Sequence, residues 1–199
     1  MGNLLSMLKT LLPHLPKLLE FLMKKIQEKS SSIPASPQST TEKHSQSSVS
    51  NLPYQHLLAS TVAQKYGIPN IPNDEQKRNL QLTNLNIYTP IKTGLDKAGK
   101  TLQLQSGFRS PELNAHPEVG GSENSDHCKG LALDLTCFEM SPKDLYIFIK
   151  NLNLPFKQLI LEPGWVHISL DLSETPRKQC LEAYYAKTDK GRVLKYKTI

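Results

Sequence analysis

The sequence predicts an α+β fold, an antiparallel sheet with flanking helices, on three observations. Helical and strand-like patterns follow one another without a regular βαβ repetition. The strand-like stretches are short, and "TLQLQSGF" alternates as a half-buried strand does. Tight loops separate them. At 199 residues the chain exceeds one average domain and falls short of two, so one compact domain with appendages is expected.

The first appendage is residues 1–29. Lys9, Pro13, Pro16, Lys17 and Glu20 interrupt its leucine-rich stretch, so no apolar run is long enough to span a bilayer. Leu18, Leu19, Leu22 and Ile26 recur at helical spacing beside Lys17, Lys24, Lys25 and Lys29. This amphipathic, cationic helix is expected to contact either protein (a partner helix or a second copy) or a membrane surface. It lacks a basic n-region and a small-residue cleavage site, which argues against a signal peptide. Residues 30–51, rich in Ser, Pro and Gln, carry too few apolar groups to offset the entropy of ordering, and a disordered linker is expected. The folded domain is therefore placed at residues 52–199.

Within it, a short helix is expected from His56 to Tyr66, stopped by Gly67. Asn73 and Gln76 form a capping box for a second helix with a buried stripe of Leu80, Leu85, Tyr88, Ile91 and Leu95, kinked at Pro90. The strand "TLQLQSGF" follows, then a short helix capped by Ser110 with Pro111 at its first position, then a mobile loop at Gly120 and Gly121. "LALDL" is a strand, "SPKDLYIFIKNLN" a helix capped by Ser141, and "KQLILE", "WVHISL" and "RVLKYKTI" are further strands.

Composition narrows the partners. The net charge of +6 and pI near 9.1 favour anionic ones, among nucleic acid, lipid headgroups and wall polymers. No basic run interleaved with exposed aromatics is evident, so nucleic acid is not expected. Three cysteines without a CxxC pair exclude a disulfide framework and a zinc knuckle, and fit a reducing compartment.

The chemistry concentrates in "SENSDHCKGLALDLTCF". Strand alternation turns Leu131, Leu133 and Leu135 to the core and Asp134 to the other face; in "WVHISL" it sets His167 on the face opposite Val166, Ile168 and Leu170. If the two strands are neighbours, Asp134 and His167 share a cleft, and His127 on the entering loop completes the set. Two imidazoles and a carboxylate leave an open position on zinc for a water. Each residue also has an ordinary role open to it: His167 as a hydrogen-bonded strand histidine, Asp134 as a turn cap or partner of Lys129. Cys128 adjoins His127, so their side chains diverge and do not make a nucleophile–base pair. Cys137 and Cys180, among apolar or helical neighbours, read as small core residues.

"SDHCKGLALD" fits S-x-H-x-x-G-x-A-x-D, and with "SGFRSPELN" before it and "WVHIS" after it the chain resembles the zinc D-alanyl-D-alanine carboxypeptidases, closest to small phage and bacterial members. The resemblance covers roughly residues 52–172. It implies a fold like that of the hedgehog signalling domain, Zn2+ as cofactor, and His127, Asp134 and His167 as its ligands. It implies Arg109 as a substrate-binding and oxyanion-stabilising cation, for which a surface ion pair with Glu112 or Glu118 is the alternative. Ser125 is expected to hydrogen-bond substrate or the ligand loop, unless it is an ordinary turn serine. In well-studied relatives a carboxylate stands three residues before the last histidine; here that position is Gly164, and Glu162 is the nearest acid and the expected general base. His116 lies in an apparent insertion and reads as a surface residue, a lid contact or a spare ligand.

The implied function is a zinc-dependent peptidase cleaving peptidoglycan stem peptides, as a D,D-carboxypeptidase or as an endopeptidase used in lysis. It would be made in the cytoplasm and reach the wall after release or on a virion. The alternative is a non-catalytic zinc or wall-peptide binding module of the same fold. A 2-His-1-carboxylate iron oxygenase ranks last, because its first histidine and acid usually stand two apart, whereas His127 and Asp134 are separated by seven.

Overall fold

The computed structural model describes residues 53–189 and 191–199. The expected N-terminal helix at 1–29 and linker at 30–51 lie outside the described residues.

The expected first helix is split in two. A 3-10 turn at Gln55–Leu58 ends at Ala59, and Ser60 restarts the chain as the cap of α1 (Thr61–Tyr66) by accepting a hydrogen bond from the Ala63 amide. Gly67 ends α1 at φ 64°, a left-handed conformation natural to glycine. Asn73 and Gln76 form their reciprocal capping box at the start of α2 (Asp74–Thr83).

The stripe along the next helices departs from expectation at one residue. Leu85 is 65% exposed, and Ile87 is buried in its place with Leu80, Ile91 and Leu95. The cause is a π-helical turn at Asn84–Tyr88, closed by the Thr89 amide donating to the Asn84 carbonyl, ahead of α3 (Thr89–Lys97). Pro90 has no amide to donate, and its ring would crowd the carbonyl four residues back; a widened turn absorbs both effects and shifts the phase of the stripe.

β1 (Leu102–Ser106), α4 (Pro111–Ala115) capped by Ser110, β2 (Ala132–Cys137), α5 (Pro142–Asn151) capped by Ser141, β3 (Phe156–Leu161), β4 (Val166–Leu170), β5 (Gln179–Thr188) and β6 (Gly191–Thr198) complete the fold. β5 has no counterpart in the sequence reading, because adjacent Tyr184 and Tyr185 break its alternation. Cys180 accordingly sits half-buried on a strand.

The six strands lie in the order β1-β2-β4-β3-β5-β6. The sheet is mixed, which corrects the expected antiparallel one: every pairing is antiparallel except β3 with β5. β2 already occupies the free edge of β4, so the chain leaving β4 crosses to the far edge of β3 and runs parallel to it. One face of the sheet presents Leu133, Leu135, Leu159, Val166 and Ile168 to a core shared with Ile87, Ile91, Leu95, Leu145 and Ile149. The other face carries Asp134, His167 and Glu162.

Between α4 and β2 a 3-10 turn, Asp126–Lys129, carries His127 and ends at Gly130, φ 73°. Helix α2 fastens this turn through three consecutive carbonyls: Gln76 Nε2 donates to Cys128, Asn79 Nδ2 to Lys129 and Thr83 Oγ1 to Gly130, at 2.8–2.9 Å.

Gly130→Ala is expected to destabilise the domain by about 2 kcal/mol in urea denaturation. The added Cβ would lie 2.8 Å from the Gln76 carbonyl oxygen, at a φ that alanine disfavours. A midpoint equal to wild type would show that the α2 contact yields freely.

Candidate metal centre

The antiparallel register of β2 and β4 sets Asp134 directly opposite His167 and Ala132 opposite Ser169. His127 joins them from the 3-10 turn. Its Nδ1 donates to the Gly107 carbonyl at 2.7 Å, which places the proton on Nδ1 and leaves Nε2 as a lone-pair donor facing the cleft. Burial holds the His127 pKa below its ordinary value, favouring the neutral ring a metal ligand needs.

Three donor side chains converge. His127 Nε2 lies 3.3 Å from His167 Nδ1 and 3.3 Å from Asp134 Oδ2, and His167 Nδ1 lies 2.9 Å from Asp134 Oδ1. Zinc ligands at about 2.0 to 2.2 Å in a tetrahedron stand roughly 3.3 to 3.6 Å apart; the two separations from His127, 3.3 Å each, match that span, the His167–Asp134 pair is closer at 2.9 Å, and nitrogen and carboxylate donors are those zinc takes. Three protein ligands of this kind would leave a four-coordinate ion one position for water or substrate.

Charges around the centre are matched. Burial opposes the Asp134 charge, but His127 and His167 outweigh it and hold the carboxyl far below the usual carboxylate range. Arg109 Nη2 donates to Asp134 Oδ2 at 2.5 Å while its Nε donates to Ser106 Oγ at 2.8 Å. A bulge in β1 between Leu104 and Ser106 pairs Ser106 with Asp134 and so brings this anchor into place. Arg109 therefore pairs with neither Glu112 nor Glu118; Glu118 accepts from Lys65 and Tyr66 instead. Asp126, buried beside His127, takes Lys129 at 3.2 Å and Lys157 at 2.7 Å. Burial opposes its charge as well, and the two ammonium groups overcome it.

Glu162 lacks such a match. It is 7% exposed, and its Oε2 is buried without a hydrogen-bond partner. Burial raises its pKa, and Asp134 adds to the rise against the lowering effects of His167 and Tyr196. It reaches the site through the β3–β4 hairpin: its amide donates to the Trp165 carbonyl across a turn holding Pro163 and Gly164, and Ile160 pairs with His167. Glu162 is two residues beyond Ile160, so its side chain emerges on the face of His167. Gly164 has open space where a Cβ would be.

A cavity of about 500 Å³ unites these groups, lined by Arg109, Ser125, His127, Asp134, Glu162 and His167 together with Lys157, Trp165, Leu194 and Tyr196. Ser125 is half-buried and caps the 3-10 turn, its Oγ accepting from the His127 amide at 3.3 Å. His116 packs at a tilt against Tyr66, ring centroids 4.3 Å apart, and does not line the cavity. Asp126, Lys157, Leu194 and Tyr196 were absent from the sequence-derived site. Asp126 lay inside the motif beside His127, whereas the other three belong to strands whose neighbours only the fold supplies.

A protein-family model described as Peptidase M15 matches residues 50–169. No curated protein matches the chain.

The depressed carboxyls give a pH signature. Their contribution to stability is complete above the unfolded carboxylate value and is lost as pH falls below it, because the unfolded state then binds more protons. In metal-free protein the urea midpoint should drop between about pH 5 and about pH 3, and less steeply in Asp134→Asn; parallel slopes would show that Asp134 carries none of it.

Proposed function

The chain belongs to the Peptidase M15 family, and on that premise we propose that it is a zinc-dependent peptidase cleaving the stem peptides of peptidoglycan. The observation that carries this reading is the convergence of His127, His167 and Asp134 at 2.9–3.3 Å in one cavity with a buried carboxylate, Glu162, one of whose oxygens has no hydrogen-bond partner. Arg109 and Lys157, both lining that cavity, suit the carboxylates of such peptides.

His127 Nε2, His167 Nδ1 and an oxygen of Asp134 hold the ion in this reading. When bound, zinc acidifies a water and polarises the scissile carbonyl. Glu162 accepts the proton that the attacking water loses as its oxygen bonds to the carbonyl carbon. It then delivers that proton to the amine as the C–N bond breaks. Burial raises the proton affinity of this carboxylate towards what a base near neutral pH requires. Arg109, fixed by Ser106, presents a cation to the oxygen on which negative charge develops. Ser125 holds the backbone of the ligand turn, and its hydroxyl borders the substrate space. The nearest competing reading is a wall-peptide binding module, and turnover separates the two.

Purified protein with one equivalent of zinc is expected to release D-alanine or peptide fragments from peptidoglycan, and to stop when EDTA strips the metal. Glu162→Gln should retain zinc and lose turnover by roughly 10³-fold, within the range for general acid–base groups. Folded, zinc-loaded protein inert on every wall type would overturn the proposal; zinc and wall-peptide binding without turnover would establish the module instead.

The base must be ionised, so activity falls as pH drops through its pKa. The acid limb of kcat/KM should therefore lie above the ordinary glutamate value of 4.5; a limb at or below it would remove Glu162 from the role.

A further inference from the structure

The last two strands extend beyond the sheet that supports the centre. β3 pairs with β5 from Gln158↔Gln179 to Leu161↔Glu182, whereas β5 and β6 stay paired out to Thr188↔Gly191. Among the described residues, the outer part of this hairpin pairs only with itself. It is an arm roughly 20 Å long at strand rise, and it lies outside the residues 50–169 matched by the family model.

Its two faces differ. Register and alternation place Leu181, Ala183, Tyr185 and Lys187 on one face with Tyr196, Leu194 and Arg192 opposite them. Leu181, Leu194 and Tyr196 line the cavity of the metal centre, so this face continues the cavity wall outward past Glu162. Tyr196 and Tyr185 are about half exposed, and Arg192 sits 4.9 Å over the Tyr185 ring. The other face also carries exposed groups, Tyr184 and Val193 among them, with Lys197 paired to Glu182 at 2.9 Å and lying over the Tyr184 ring, but none of these residues lines the cavity. Exposed aromatics are thus interleaved with cations here, a pattern that the sequence reading did not find.

We propose that the cavity-facing side of the β5–β6 arm binds the saccharide chain from which the cleaved peptide hangs. This rests on the peptidase reading above, since a substrate seated at Glu162 must leave the cavity along one of its walls. A tyrosine ring offers a broad, rigid apolar surface to the C–H face of a sugar. Arg192 and Lys187 supply cations for carboxylate or carbonyl oxygens on that chain. The arm would therefore favour polymeric wall over short soluble peptides without taking part in the bond cleavage.

The test uses the full chain, wild type against a Tyr185→Ala, Arg192→Ala double variant and an Arg192→Glu single variant, each checked for folding by thermal melting. Zinc-stripped protein is co-sedimented with insoluble glycan strands freed of peptide, and its binding to duplex DNA is measured in parallel. Both variants should lose at least about ten-fold in glycan affinity. With zinc, turnover of a soluble stem pentapeptide should stay near wild type while turnover of intact peptidoglycan falls with the binding. Unchanged glycan affinity overturns the proposal, as does equal loss on peptide and polymer, or a wild type that binds DNA but no glycan. A wild type that cleaves neither substrate defeats the peptidase reading, and the sedimentation arm still decides the role of the hairpin.

Discussion

The centre depends on the antiparallel ladder between β2 and β4. Side chains alternate with a period of two, so a one-residue slip would send Asp134 or His167 into the core and bring a leucine, valine or isoleucine to the cleft. The register is held because Leu133, Leu135, Val166 and Ile168 are wholly buried on the opposite face. Apolar packing on one side of the sheet thereby sets the chemistry on the other.

The remaining donor is fixed by polar contacts. His127 stands on a single 3-10 turn, which has little cohesion of its own. Helix α2 supplies three side-chain donors to consecutive carbonyls after it, and the Gly107 carbonyl accepts a hydrogen bond from the imidazole Nδ1. The capping box and the π turn earlier in the chain thus serve the site at a distance: one starts α2, and the other keeps the helices after it packed against the sheet while accommodating Pro90.

Charge is distributed unevenly, and the unevenness is informative. Asp134 and Asp126 are each buried against cations, while Glu162 is buried with one oxygen unpartnered. An unbalanced buried acid costs stability, and groups of this kind concentrate where a proton must be taken up and released. The hairpin that holds it turns through Pro163 and Gly164, a device that returns an acid five residues ahead of a histidine to the same face.

Local rules made a large share of this legible in the sequence. Capping boxes, helix stops and alternation depend only on neighbours, which is why Asn73, Ser110, Ser141 and Gly67 could be read directly and why Asp134 and His167 could be assigned to non-core faces. The family was legible too, through motifs whose spacing survives without coordinates. What needed the fold was everything set by who lies beside whom. The parallel β3–β5 pairing arises because β2 had already taken the edge of β4, a competition between distant segments. Leu85 and Ile87 exchanged places because one proline changed the helical phase. Lys157, Leu194 and Tyr196 entered the cavity because the β3–β5 pairing carries the β5–β6 hairpin beside a centre whose His127 and Asp134 lie far from it in the chain, and contacts of that kind leave no periodic trace along the sequence.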